Sequence, residues 1–223
     1  MVFKENDFVK VDFDIYANGK LVQTTDEKKG KEAKLDIKEY KPMTMVLGKA
    51  FVLKAIDDDI IKNGGKNNTL NLKTEEAYGK RQKDLLKVFP KSTFDEKQIR
   101  AVPGVTYDFN GMYGTVKSVI GGRVMVDFNN PLSGKDIKVD YTNVKKLDDI
   151  CEKVKLVLEV ILRVPQTYFD VSEKDKKVTI AVPEQLLAMK DMLSKSIEEM
   201  LGKEAMKAYT FDYKVKKIDV KNQ

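Results

Sequence analysis

The sequence has no histidine and no tryptophan, and its 223 residues include one cysteine, Cys151. Without an imidazole neither a Ser-His nor a Cys-His catalytic unit can be built, and a single thiol excludes an internal disulfide framework. A soft-metal site is excluded for the same reason, so no metal and no cofactor are expected. No apolar run approaches the length needed to cross a bilayer, and Met1 to Asp14 alternates instead of forming a signal-peptide core. The expectation is a cytoplasmic protein with no membrane partner. Charge of one sign is also not concentrated: Lys and Arg total 41 against 35 Asp and Glu, a net +6, but the two signs are interleaved throughout. Without a basic stripe the lysines read as a solubilising surface, and nucleic acid is not an expected partner.

The residues that are present are patterned as in an ordinary globular protein, 42% hydrophobic and 34% charged, long enough for one large or two to three small domains. Val9, Val11, Phe13 and Ile15 alternate with polar neighbours, the period-two mark of a strand with one buried face. Asn18-Gly19 signals a type I′ hairpin leading into Leu21-Val22. Residues 26–39, rich in Lys and Glu, read as a solvated loop with a short helix. From Phe51 to Ile61 the apolar residues Val52, Leu53, Ile56, Ile60 and Ile61 fall at helical spacings, closed by Gly64-Gly65. The triplet Asp57-Asp58-Asp59 is expected to cap and solvate that helix.

A strand with Leu70 and Leu72 on one face runs into Ala77-Tyr78-Gly79. The β pattern resumes only at Val126, passes Asn129 to Gly134, and continues with Ile137, Val139 and Tyr141. Between them the turn signals Pro103-Gly104, Asn110-Gly111 and Gly121-Gly122 separate short strands carrying Val105, Tyr107, Phe109, Val116 and Val119. This layout, with one segment nested inside another, resembles the FKBP-type peptidyl-prolyl isomerases with a flap insertion, shared by SlyD-type bacterial chaperones and archaeal long-type FKBPs. Further motifs in matching order are Asn18 to Thr25, where the family usually has Gly-x-x-Phe-Asp-Thr/Ser, and Val46 to Asp57, where it has a Val/Ile-Ile-x-Gly-Trp/Phe-Glu run. Arg81, Leu85, Pro90 and Phe94 fall at matching places in the insertion. The resemblance implies an α+β protein with three parts. An FKBP antiparallel sheet with a short helix spans 1–82 and 126–146, an inserted small β-rich chaperone domain spans 83–125, and a C-terminal α+β domain spans 147–223.

The C-terminal part offers Asp148 and Asp149 as caps for a helix bearing Ile150, Val154, Val157, Leu158, Ile161 and Leu162 on one face and ended by Pro165. Strand-like Val178, Ile180 and Val182 follow, then a second helix from Pro183 to Leu201 stopped by Gly202, then alternating Phe211, Tyr213 and Val215. Met189, Met192 and Met200 widen that helix's apolar stripe beyond what one small sheet needs. A homodimer through this domain is therefore an expectation, with plain internal core as the alternative.

Rotation about an X-Pro bond faces a barrier of about 18–20 kcal/mol, and no covalent chemistry is needed to lower it. The twisted amide is less polar than the planar one, so a dry apolar pocket favours it, and a thousandfold acceleration requires only roughly 4 kcal/mol. On the resemblance, the catalytic set is Tyr78, Phe13 where the family has tyrosine, Gln23 where it has aspartate, Leu53 through its backbone N–H, and Ile56 where it has a Trp or Phe floor. Val22, Met45, Val52 and Val139 are the expected substrate contacts, with fewer rings than the family carries, so reduced isomerase activity is expected. Core packing is the alternative role for Phe13, Ile56 and Val139. In the insertion, Leu86, Phe89, Met112 and Tyr113 are the expected contacts to unfolded, proline-containing polypeptide clients. A binding-only holdase with a dead pocket remains the second functional reading.

Overall fold

The computed structural model of the chain describes residues 2–37, 39–96 and 98–216. The N-terminal strands are β1 (Phe8–Ala17) and β2 (Lys20–Thr24), followed by α1 (Glu27–Glu32), β3 (Met43–Val46), α2 (Lys54–Asn63) and β4 (Asn68–Leu72). Next come β5 (Leu86–Pro90), α3 (Ser92–Glu96), β6 (Thr106–Phe109), β7 (Met112–Ile120), β8 (Arg123–Asp127) and β9 (Ile137–Lys146). The chain ends with α4 (Ile150–Leu162), β10 (Asp170–Lys174), β11 (Lys177–Val182), α5 (Glu184–Leu187), α6 (Lys190–Leu201), α7 (Lys203–Ala208) and β12 (Thr210–Val215). These make a mixed α+β protein with three sheets, ordered β2-β1-β9-β4 with β3 on β1, β5-β8-β7-β6, and β10-β11-β12. Among the described residues no helix is long and apolar enough to cross a membrane. The chain divides into two compact units, one of Met1–Asp14, Gln23–Thr69 and Asp140–Gln223, the other of Ile15–Val22 and Leu70–Val139.

In the first unit β1 and β3 run antiparallel with Val9 opposite Met45 and Val11 opposite Met43. Helix α2 ends at Gly64, whose left-handed φ of 72° lets its N–H reach the carbonyl of Ile60. The core of this unit continues past residue 147 without a break: Phe8 and Val46 share one buried cluster with Val154, Val157 and Leu158 of α4, Ile180 of β11, and Leu193 and Ile197 of α6. Each such fully buried aliphatic side chain contributes roughly 1.5–3 kcal/mol relative to exposure. Leu147 donates its N–H to the carbonyl of Phe8 (2.8 Å), so the chain enters the C-terminal elements already fixed to β1. Strands β11 and β12 pair in parallel, which requires a crossover, here made by α5, α6 and α7. The single helix expected from Pro183 to Leu201 is two: Met189, at φ −93° and ψ 11°, breaks the helical path between α5 and α6. The break lets Leu186 and Leu187 on one piece and Leu193 and Ile197 on the other all reach the same core. Met189 and Met192 are exposed, while Met200 packs against that core.

The acidic triplet on α2 differs from its expected solvent role. Asp57 is fully buried, and its Oδ2 accepts the N–H of Gly48 and of Ala50, both at 2.9 Å, which pins the turn after β3 onto α2. Asp59 accepts from Asn63 Nδ2 and Asn68 Nδ2, each at 2.9 Å, and from the Tyr141 hydroxyl. Only Asp58 is exposed. The reason is the helical period, which puts Asp57 on the same side as Ile56 and Ile60.

In the second unit, β5 to β8 enclose a small aromatic core. Phe89 stacks on Phe109 (centroids 5.6 Å apart), and Phe94 and Phe128 meet Phe109 edge-on at 5.8 and 5.1 Å. Val116, Val124 and Val126 complete it.

Burial pushes the Asp57 carboxyl above its ordinary range, against the two hydrogen bonds from Gly48 and Ala50 that pull it down. The folded state therefore holds this proton more tightly than the unfolded chain does. The cost of keeping Asp57 ionised is present near neutral pH and is relieved as pH falls through the raised folded value towards the unfolded one. Asp57→Asn, which keeps one acceptor for both N–H groups, is expected to be nearly neutral or stabilising at pH 7, with the wild type gaining on it as pH is lowered to 5. Asp57→Ala is expected to lose about 1–3 kcal/mol at pH 7 because two buried donors lose their acceptor. Urea denaturation of the three proteins at both pH values measures this; a wild-type advantage over Asp57→Asn that grows with pH would contradict the sign.

Candidate active site

Within the first unit a cleft of about 560 Å³ is lined by Phe13, Gln23, Ile37, Pro42, Met43 and Phe51 from the N-terminal elements. Leu156, Val160 and Arg163 line it from α4 and its cap. Phe13 is placed by a two-way clamp: its N–H donates to Thr25 Oγ1 (3.0 Å) and its carbonyl accepts the Thr25 N–H (3.0 Å). Asp14, buried beside it, accepts the Thr24 hydroxyl and pairs with Lys29 of α1, and Asp26 caps α1 through the Lys29 N–H at 2.9 Å. The rim between α1 and β3 depends on Gly30, where a Cβ would lie 2.2 Å from the Tyr40 ring, so glycine alone lets Tyr40 close onto the helix.

Of the sequence-predicted residues, Phe13 and Gln23 share this cleft, with Gln23 exposed and Phe13 largely buried. Met45 is fully buried in β3, and the residues of that strand that line the cleft are Met43 and Thr44. Val52 is half-buried beside Phe51, and Ile56 is 2% exposed in the core of the unit. Leu53 is the extended N-cap of α2, and its N–H has no hydrogen-bond partner among the described residues. Sequence reading missed Met43, Phe51 and the α4 wall. For Met43 and Phe51 the signal was an apolar residue adjacent to an assigned one; for Val160 it was an apolar residue off the helix's buried stripe.

Tyr78, Val22 and Val139 belong to the second unit. Val139 is fully buried and Val22 half-buried. Tyr78 is half-buried; burial pushes its phenol above the ordinary value, and its hydroxyl has no hydrogen-bond partner among the described residues. Its backbone is held by a neck in which two chain segments cross. Ser133 Oγ donates to the Tyr78 carbonyl (3.0 Å), and the Gly134 N–H donates to the Gly79 carbonyl (2.8 Å). Asn129 then grips Gln82 from both sides, Oδ1 accepting its N–H (2.8 Å) and Nδ2 donating to its carbonyl (3.0 Å). Nδ2 also donates to Asp127 (2.8 Å), which forms an ion pair with Arg81. Beyond the neck the second sheet presents Leu86, Met112 (64% exposed), Tyr113 (71%) and Ile120 (74%) to solvent. Phe89, expected beside them, is half-buried and stacks on Phe109 of the aromatic core. Among the described residues no group of three or more His, Cys, Asp or Glu could hold a metal ion.

Comparison with known proteins relates the sequence to a family. Residues 87–132, which contain β5 to β8 almost entire, match the model described as the FKBP26 IF domain. The chain is 28% identical over 140 residues to a short-type peptidyl-prolyl cis-trans isomerase of Methanocaldococcus jannaschii, covering 61% of this chain and 89% of that protein. It is 29% identical over 105 residues to an FKBP-type 16 kDa peptidyl-prolyl cis-trans isomerase of Escherichia coli, covering 45% and 70%. Over 100 residues it is 27% identical to the FKBP-type isomerase SlyD of Helicobacter pylori, covering 43% and 54%. By these matches the chain is similar to the FKBP-type peptidyl-prolyl isomerases.

The neck is the most polar buried joint of the second unit. Asn129→Ala removes three side-chain hydrogen bonds and strands both backbone groups of Gln82, at an expected cost of roughly 2–3 kcal/mol. Denaturation gives the loss, and hydrogen exchange of the Gln82 amide locates it. Unchanged protection there would show that the neck does not depend on Asn129.

Proposed function

We propose that the chain is a peptidyl-prolyl cis-trans isomerase of reduced activity that also holds unfolded clients, with the isomerase site in the cleft of Phe13, Met43 and Phe51. We further propose a division of the chain into an isomerase part (1–82 and 126–146), an inserted client-binding part (83–125) and a C-terminal part (147–223), working in the cytoplasm. The observation that carries the isomerase reading is the apolar cleft itself, in a chain whose relatives bear that activity in their names. Its walls supply apolar contact for a proline ring and no nucleophile, as rotation about an amide requires. Leu53 N–H is the donor proposed for the twisted carbonyl, because it is otherwise unpaired at the start of α2. Reduced activity follows from the small aromatic area and from Gln23 at the position where the family has a carboxylate.

NMR exchange on a proline tetrapeptide tests this without a coupling protease. Gln23 is exposed in the cleft, so Gln23→Asp is expected to raise the rate by about fivefold to tenfold, equivalent to roughly 1–1.4 kcal/mol. Ile56→Trp is expected not to help, because at 2% exposure the larger ring overpacks the core and costs about 1–3 kcal/mol of stability. Wild-type turnover equal to that of an FKBP with a full aromatic pocket would refute the reduced-activity reading.

Support for client holding is the solvent-facing apolar group Leu86, Met112, Tyr113 and Ile120, adaptable side chains of the kind promiscuous surfaces use. Replacing Met112, Tyr113 and Ile120 together by Ser is expected to abolish most suppression of client aggregation while leaving tetrapeptide isomerisation within about twofold, as expected for exposed positions of little structural weight. Equal loss of both activities, or of neither, would remove the division of labour.

A further inference from the structure

The cleft does not end at its FKBP-like wall. A second cavity of about 300 Å³ shares Lys41, Pro42, Thr44, Leu156 and Gln166 with it, so the two form one groove along α4. Helix α4 has two working faces. Val154, Val157 and Leu158 are buried in the core, Leu156 is buried in the same core at the groove wall, and the 39% exposed Val160 gives the groove its open apolar side.

The charges along this groove are unevenly matched. Lys41 is paired with Glu39 (2.8 Å) and Lys10 with Glu152 (2.6 Å), and Glu159 accepts from Gln166 Nε2 (2.7 Å). Arg163 and Lys155 remain, and neither has an ion-pair or hydrogen-bond partner among the described residues, although Glu159 lies one turn from each. Arg163 is held in place by the backbone: it is the left-handed C-cap of α4 (φ 53°), with its N–H on the Glu159 carbonyl at 3.0 Å. A left-handed non-glycine residue is uncommon, and here it sets a long cation at the mouth of an apolar cleft.

We propose that α4 is the second wall of the substrate site and that it selects extended proline segments carrying an acidic side chain next to the proline, received by Arg163. The proposal rests on the isomerase reading and names its substrate class. The apolar side chain of the segment lies along Leu156 and Val160, and its carboxylate supplies the acceptor that the groove leaves out. Lys155, further along the same helix, extends the preference to a second acidic position.

The test uses the full chain and three fluorescein-labelled peptides identical except for Glu, Ala or Lys beside the proline, with affinity read by anisotropy and isomerisation by NMR exchange. The Glu peptide is expected to bind roughly threefold to fivefold more tightly than the Lys peptide at low salt, the range of an exposed ion pair, with the difference shrinking at high salt. Arg163→Lys should keep the order and Arg163→Glu should reverse it; reversal cannot come from misfolding. Equal binding of the three peptides with normal isomerisation would overturn the inference and leave the isomerase reading intact, and so would an order unchanged in Arg163→Glu. If no peptide binds and none is isomerised, both readings fall.

Discussion

A chain that leaves a strand, builds a separate sheet from Leu86 to Asp127 and then returns must lock its points of departure and return together. The length of the excursion matters little, because loop-closure cost grows only with the logarithm of length. What matters is the join. Asn129 answers both backbone groups of Gln82, Arg81 and Asp127 pair, and Ser133 and Gly134 hold Tyr78 and Gly79. Asn129 and Asp127 are buried, so their own polar atoms have no water to fall back on, and losing a partner there costs more than the net value of one hydrogen bond. The backbone of Tyr78 and the base of the aromatic sheet are thus set by the same few polar contacts. A polar joint suits this place better than an apolar one, since hydrogen bonds fix register and greasy packing does not.

The proposed isomerase cleft carries aliphatic groups and an amide where the resemblance leads one to expect rings and a carboxylate. Ile56 and Met45 are closed into the core, and the contact surface passes to Met43 and Phe51. A thioether adapts its shape to many partners, but it presents a less rigid face than an indole or phenyl ring. On the proposed reading, the enzyme gives up some transition-state preference and accepts a wider range of proline segments.

The local patterns were legible because they are local. The alternation around Phe13 is β1, the Asn18-Gly19 signal is a turn with φ of 48° and 78°, and Asp149 caps α4 by accepting the Glu152 N–H at 2.8 Å. The resemblance likewise pointed to the right family from motifs in order. What could not be read depends on contacts distant in sequence. Asp57 looks like a solvated cap because nothing in its neighbourhood shows that Gly48 and Ala50 will bring two N–H groups to it. Nothing near Phe89 in sequence shows that Phe109 and Phe128 will pack on it. The parallel pairing of β11 with β12 is invisible in either strand's alternation, since both directions share period two.

The shared core on either side of residue 147 likewise depends on contacts distant in sequence. The core continues across it, because Phe8 and Val46 share one buried cluster with α4. That packing fixes the rotation of α4 about its axis, and the helical period then decides which residues face elsewhere. With Val154, Val157 and Leu158 turned into the core and Leu156 buried at its edge, Val160 is left along the cleft. The same packing that joins the C-terminal elements to the first strands therefore places α4 along the cleft. A helix packed there solely for stability would gain nothing from an apolar Val160 or an unpaired Arg163 at its open edge.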